Sequence, residues 1–241
     1  MITISRIAEN KRVIKNIFRL SAEFAGNIRP GQFFMIKTLD NSFLLPRPLS
    51  VNQVTDNKVT FLYRAEGIGT TKISTMKMGD DLQLLGPLGN GFDMDKLRGR
   101  IAVVGGGIGI APLLYLTECL GKKAEVFLGF KDCVYTVDEF ENYSDRVLIV
   151  TEDGSSGEKG YVTDYIDYRS YDAVVACGPE IMLNKIVKDC KENNIKCYVS
   201  LERRMACGIG VCLGCTVMTN YGSRRVCKDG PVFSGEELFG R

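Results

Sequence analysis

Residues 207–227 hold the side chains best suited to chemistry. Cys207, Cys212 and Cys215 follow one another as C-x4-C-x2-C, and Cys227 stands further on. This is the plant-type spacing for a [2Fe-2S] cluster. Thiolates are soft ligands, and four of them complete the coordination of two tetrahedral irons. Gly208, Gly210 and Gly214 lie between the ligands, where a Cβ would crowd an inorganic core or forbid the turns around it. Ile209, Val211 and Leu213 alternate with them and are expected to keep water off the sulfurs. The competing reading is a zinc site with four cysteine ligands. Zinc ribbons usually bring two short C-x2-C knuckles, and only one pair here has that spacing. The other cysteines, Cys119, Cys133, Cys177, Cys190 and Cys197, leave an odd remainder that argues against systematic disulfide pairing.

Length and composition narrow the setting. The 241 residues suffice for two or three small domains, each with its own core. A net charge of +2 points away from nucleic acid or an anionic membrane as the main partner. The first residues alternate like a strand and lack a leader's charged-then-apolar plan. No apolar run approaches the length of a membrane span. Nine cysteines in such a chain indicate a reducing cytoplasm. Histidine is absent altogether, which excludes a Ser-His or Cys-His nucleophile, a Rieske centre and any His-based metal site. Hydride and electron transfer survive this exclusion, because cofactors carry that chemistry.

The elements that must position such cofactors can be read next. Strands are predicted at 2–7, 13–20, 33–38, 48–54, 59–64 and 81–85, with turns at Pro30 and Gly31, Asp56 and Asn57, and Gly79 and Asp80. Six short strands with one brief helix, 71–76, suggest a closed antiparallel barrel. Two patches stand out on it. Arg47, Pro48, Leu49 and Ser50 combine a fork that can hold a diphosphate with a hydroxyl and amides that can face a flavin ring. Leu62, Tyr63 and Arg64 precede Gly69, Thr70 and Thr71, which offer the N–H groups of a helix start to a phosphate. Tyr63 is expected to stack on the flavin or adenine. Either patch alone reads as an ordinary strand edge or turn. Gly86 to Phe92, rich in Gly and Pro, reads as a rim loop and linker.

From 98 to 200 strands alternate with helices. A strand at 100–104 runs into Gly105, Gly106, Gly107, Gly109 and Pro112, and then a helix to 120. Strand, glycine loop and helix form a phosphate cradle. Ile110 occupies the last Gly position of G-x-G-x-x-G, so this is not the standard dinucleotide fingerprint. Further strands are predicted at 124–130, 147–151, 173–176 and 197–200, with helices at 137–141, 163–166 and 181–193. The alternation indicates a parallel sheet with helices on both faces. Cys177, Gly178 and Pro179 end one strand, where open sheets bind ligands. Asp132, or Glu152 with Asp153, is suited to ribose hydroxyls, while Lys131 leaves NADP open. A hairpin at 216–219 and 223–226 follows, in a region whose stability must come largely from metal ligation.

Taken in order, these segments resemble a known family. Arg47 to Ser50 with Gly69 to Thr71 resembles the FAD-binding barrel of the ferredoxin–NADP+ reductase superfamily. Its nicotinamide domain carries a loop like Gly105 to Pro112 and a motif like Cys177 to Met182. With Ser200 to Gly210 added, nearly the whole chain resembles the NAD+-linked dihydroorotate dehydrogenase B electron-transfer subunits. The resemblance implies an α+β multidomain chain: an antiparallel FAD-binding β-barrel at 1–97, a parallel-sheet α/β nucleotide-binding domain at 98–200, and a small [2Fe-2S] domain at 201–241.

The resemblance also implies a circuit for pyrimidine synthesis. A separate FMN-containing catalytic subunit, in a heterotetramer of two plus two, oxidises dihydroorotate. Electrons then pass through the cluster on Cys207, Cys212, Cys215 and Cys227 to FAD and on to NAD+. FAD is held by Arg47, Pro48, Leu49, Ser50, Leu62, Tyr63, Arg64, Gly69, Thr70 and Thr71. The nicotinamide site is shaped by Gly105, Gly106, Gly107, Gly109, Cys177, Gly178 and Pro179, with Cys177 near the hydride but no nucleophile. Ile209, Val211 and Leu213 are expected to dock the partner. Two alternatives stand beside this reading: a flavin–iron–sulfur subunit of a hydrogenase or ferredoxin–NAD(P) transhydrogenase complex, and a zinc-stabilised nucleotide sensor.

Overall fold

The computed structural model describes residues 1–40 and 42–238. The last three residues of the expected cluster domain lie outside them. The N-terminal strands are β1 (Ile2–Ile14), β2 (Ile17–Glu23), β3 (Phe33–Thr38), β4 (Arg47–Thr55), β5 (Lys58–Arg64) and β6 (Asp81–Leu88), with helix α1 (Ile68–Thr75) between the last two. They close into a barrel in the order β1-β2-β5-β4-β3-β6, antiparallel throughout. Its interior is apolar: Leu20, Phe34, Ile36, Val51, Phe61 and Leu84 pack there with Ile73 of α1. Each such side chain contributes about 1.5–3 kcal/mol by leaving water.

One strand and one loop depart from expectation. The predicted strand 13–20 spans a hairpin turn, because β1 ends at Ile14 and β2 begins at Ile17. A two-residue hairpin needs left-handed backbone, and Lys15 adopts it with φ 42°. The Gly86 to Phe92 segment is not simply a loop. Its first residues complete β6, and Asn90 then binds the cluster region: its N–H donates to the Gly230 carbonyl (2.8 Å) and its Nδ2 to that of Asp229 (2.9 Å).

The second sheet holds β7 (Ile101–Gly106), β8 (Ala124–Phe130), β9 (Arg146–Thr151), the short β10 (Glu158–Lys159), β11 (Ala173–Cys177) and β12 (Lys196–Ser200). All these pairs are parallel. Successive residues of a buried strand face opposite sides, and β7 shows the consequence. Ile101 and Val103 pack with α2 (Leu113–Leu120) and α3 (Val137–Tyr143) on one face. Ala102 and Val104 pack with α4 (Glu180–Glu192) on the other. The predicted helix at 163–166 is a 3-10 turn, Val162–Tyr165.

The C-terminal region is less separate than its sequence suggests. Its hairpin is β13 (Thr216–Thr219) and β14 (Gly222–Arg225), followed by the short helix α5 (Val226–Asp229). Then β15 (Val232–Ser234) joins the large sheet as an antiparallel edge against β12, and α6 (Gly235–Leu238) follows. Cys215, Val217, Val226, Cys227 and Phe233 share one core with Phe33 and Met35 of the barrel and Val199 of the sheet. Three sequence segments thus pack around one seam. No helix among the described residues is long and apolar enough to cross a membrane.

Candidate functional site

The four motif cysteines come together as two pairs. The Cys212 N–H points at the Cys207 sulfur (3.5 Å), and the Cys227 N–H points at the Cys215 sulfur (3.4 Å). Burial alone would raise the Cys207 thiol. The N–H groups of Cys212, Ile209 and Val211 outweigh that and bring it down to about 6. Cys227 is pushed up to about 12, by burial first and then by the adjacent Cys215 thiol. Four thiols in two pairs, with N–H groups aimed at their sulfurs, are a donor set that fits a two-iron cluster.

The loop between the first ligands is held from below. A Cβ built on Gly208 would stand 2.5 Å from Met35 Cγ, and the residue has φ +72°. A side chain there is excluded by both contact and backbone. Leu213 is also left-handed, at φ 60°. Ile209, Val211 and Leu213 do not fold over the sulfurs as a water shield. They stand in solvent, 52, 75 and 61% exposed. The inner pair, Cys215 and Cys227, is instead buried by the shared core.

The two barrel patches meet. The Arg47 guanidinium lies against Gly69 in the first turn of α1, where a Cβ would come within 2.6 Å of Cζ. Arg47 also donates to the Leu45 carbonyl and sits over the Phe43 ring, 4.9 Å from its centroid. Gly67 caps α1 without a side-chain hydrogen bond, which leaves N–H groups of the first turn free beside that cation. The combination suits a diphosphate. The Thr70 hydroxyl is already engaged, accepting from Glu66 N–H (2.8 Å) and donating to the Glu66 carbonyl (2.6 Å). What Thr70 offers a ligand is its backbone.

Tyr63 does not present a stacking face. Its ring is buried and stacks on Phe18 inside the barrel (5.8 Å, 29°). Its hydroxyl donates to Asn10 Oδ1 (3.2 Å), and Asn10 Nδ2 caps the end of α1 at the carbonyls of Ile73 and Met76 (2.9 Å each). Tyr63 therefore fixes the helix whose first turn faces Arg47. Leu62 is buried against Ile110 and Ala111 of the second sheet's domain, so it too contributes position.

The two nucleotide-side loops are packed backbone to backbone. A Cβ on Gly109 would meet the Cys177 carbonyl oxygen at 2.6 Å and the Gly178 Cα at 2.7 Å. Cys177 is fully buried, and burial raises its thiol well above the ordinary value, which keeps it an uncharged packing group. Arg64 reaches from β5 toward this loop, with its guanidinium 3.8 Å from a Cβ position on Gly107. Glu202, two residues beyond β12, faces the same place. Solvent touches it, yet surrounding protein raises its carboxyl above the ordinary range, and Arg64 partly offsets this. Sequence reasoning missed Glu202, although a carboxylate just past the end of a parallel strand is a usable signal. Asp132 is paired with Lys15 (2.9 Å), and the neighbouring Asp153 takes the Ser155 N–H (2.9 Å).

Known proteins share this arrangement. Residues 202–239 match the model of the iron-sulfur cluster binding domain of dihydroorotate dehydrogenase B. The "Dihydroorotate dehydrogenase B (NAD(+)), electron transfer subunit" of Clostridium acetobutylicum is 46% identical over 237 residues, covering 98% of this chain and 96% of that protein. The chain belongs to the dihydroorotate dehydrogenase B electron transfer subunit family. A second family member, from Clostridium perfringens, is 46% identical with 97 and 96% coverage. Among solved structures, that of an NADH-dependent reduced ferredoxin-NADP oxidoreductase superposes with TM-score 0.88 at 29% identity, over 98% of this chain and 90% of the other. A ferredoxin NADP+ reductase from Neisseria gonorrhoeae with bound FAD and NADP shares the fold at TM-score 0.63 and 15% identity, over 85 and 95% of the two chains.

Proposed function

We propose that this chain is the electron transfer subunit of an NAD+-linked dihydroorotate dehydrogenase. It carries electrons released by dihydroorotate oxidation in a catalytic subunit to NAD+, in the synthesis of pyrimidines. The observation that carries the reading is the shared core in which both inner cluster cysteines lie against the outer face of a flavin-type barrel. FAD, when bound, joins a one-electron cluster to a carrier that accepts hydride.

The chain's own residues supply binding and orientation. Cys207, Cys212, Cys215 and Cys227 hold the cluster. Arg47 and the first turn of α1, through Gly69 to Thr71, hold the FAD diphosphate, with Pro48 to Ser50 and the backbone of Leu62 to Arg64 beside the ring. Gly105, Gly106, Gly107 and Gly109 face the NAD diphosphate, and Cys177, Gly178 and Pro179 line the nicotinamide end. The buried thiol of Cys177 excludes water there without titrating.

The catalytic subunit contains FMN and joins this chain as two plus two. It docks on Ile209, Val211 and Leu213, whose exposure on a ligand-bearing loop supports an interface. The complex works in the cytoplasm, where nine thiols remain reduced. Functional divisions near 97 and 200 separate the FAD, NAD and cluster regions. The ferredoxin-linked alternative shares this architecture, so substrate must separate them. Dihydroorotate-dependent NAD+ reduction should require both subunits. A complex that reduces NAD(P)+ from ferredoxin or hydrogen and ignores dihydroorotate would overturn the assignment.

A further inference from the structure

We propose that Met35 is the positioning residue that sets the gap between the flavin strand and the cluster loop, and thereby the rate at which an electron crosses between them. The proposal rests on the functional reading above.

Alternate residues of β3 serve two cores. Phe34 and Ile36 point into the barrel, while Phe33 and Met35 point outward into the core that holds Cys215 and Cys227. In the antiparallel register Met35 opposes Pro48 and Phe33 opposes Ser50. Opposed residues share a face, so Met35 and Phe33 stand beside the outward side of Pro48 and Ser50. On its far side Met35 meets the residue that follows the first cluster ligand. A Cβ position on Gly208 lies 2.5 Å from Met35 Cγ and 3.1 Å from its sulfur, with Leu88 Cδ1 at 2.9 Å. One side chain, 1% exposed, thus touches the cluster loop while lying in register with β4.

Methionine suits such a place. It is unbranched, fills irregular gaps and carries a polarisable sulfur. Met35 brings no charge to the seam, so its contribution is separation and packing. The step it serves is the passage of one electron from the reduced cluster to FAD, or the reverse when NADH has reduced FAD. No bond forms or breaks in that step.

The test uses the assembled complex with Met35→Leu, Met35→Val and Met35→Ala. NADH is mixed anaerobically, flavin bleaching is followed by stopped flow, and cluster reduction by freeze-quench EPR. Leucine should keep the wild-type cluster-reduction rate, valine should slow it, and alanine should slow it further, in that order. Flavin bleaching by NADH, the cluster EPR line shape and both midpoint potentials should stay unchanged, which a general loss of structure would not allow. If alanine fails to retain iron, leucine against valine decides, and equal rates there overturn the proposal. Wild-type rates in all variants also overturn it, alone. Wild-type complex lacking FAD or iron in this chain sinks the functional reading and this proposal with it.

Discussion

The guanidinium of Arg47 and the backbone of Gly69 are in direct contact, so close that a methyl group on Gly69 would stand 2.6 Å from Cζ. Residues more than a strand apart in sequence therefore meet at the start of α1, where we propose that the FAD diphosphate binds. Gly69→Ala should displace Arg47 and weaken FAD. Loss of a hydrogen bond to a charged group costs about 1.5–3 kcal/mol, roughly ten- to hundredfold in Kd. Arg47→Lys should recover only part of the affinity, because a lysine lacks the fork. Flavin retained on dialysis and a fluorescence titration with FAD measure both.

The loops we propose for the nicotinamide side make a parallel case. Gly109→Ala forces a Cβ into the Cys177 carbonyl at 2.6 Å. Overpacking of this kind costs about 1–3 kcal/mol. Reduction of bound FAD by NADH should slow sharply while FAD content stays normal. A normal rate of flavin reduction would show that the two loops do not shape that site.

Removing a ligand should separate the cluster from the flavin chemistry. Cys227→Ser should abolish the iron–sulfur spectrum and lower Tm, since Cys227 lies in the shared core and ligation is coupled to folding. NADH should still bleach FAD. Iron analysis, thermal denaturation and anaerobic stopped flow together check the three parts.

Docking gives a fourth expectation. Ile209→Asp and Leu213→Asp each place a charge on the exposed loop. Each should weaken binding of the catalytic subunit by about 1–2 kcal/mol, near tenfold in Kd, and leave the cluster spectrum intact. Co-purification and analytical ultracentrifugation read the result, and unchanged assembly would remove the loop from the interface.

Glu202 predicts a pH dependence. Although the residue is exposed, the protein packed around its carboxyl raises it in the folded chain, and Arg64 partly offsets this. The folded state therefore keeps a proton that the unfolded state has already released. Its contribution to stability should fall as pH rises from the unfolded carboxyl value through the higher folded one. Glu202→Gln should flatten the Tm–pH profile in that acidic window. An identical profile in the variant would contradict a carboxyl held above its ordinary range at Glu202.

Much of this was legible in sequence wherever chemistry demands fixed spacing. The cysteine ladder, the glycine loop before α2 and Arg47 to Ser50 are local patterns whose spacing follows from ligand geometry, so each could be picked out without knowing the fold. What escaped depends on distant partners. The turn at Lys15 and Asn16 carries no glycine, and a lone asparagine is a weak break in an otherwise strand-like run. The joining of β15 to β12 depends on the long return of the chain through the cluster region. The inward turn of Tyr63 follows from barrel closure around Phe18, and an aromatic beside a binding motif looks the same whichever way it faces. Met35 and Glu202 acquire meaning only when segments far apart in sequence meet.

The most direct measurement is an anaerobic NADH titration of the purified chain, with FAD and iron quantified and the flavin bands and cluster EPR followed together. Near-stoichiometric flavin and two irons, both centres reduced by NADH, are the predicted result. A preparation with neither flavin nor iron, or a bound flavin that NADH leaves oxidised, would contradict the account.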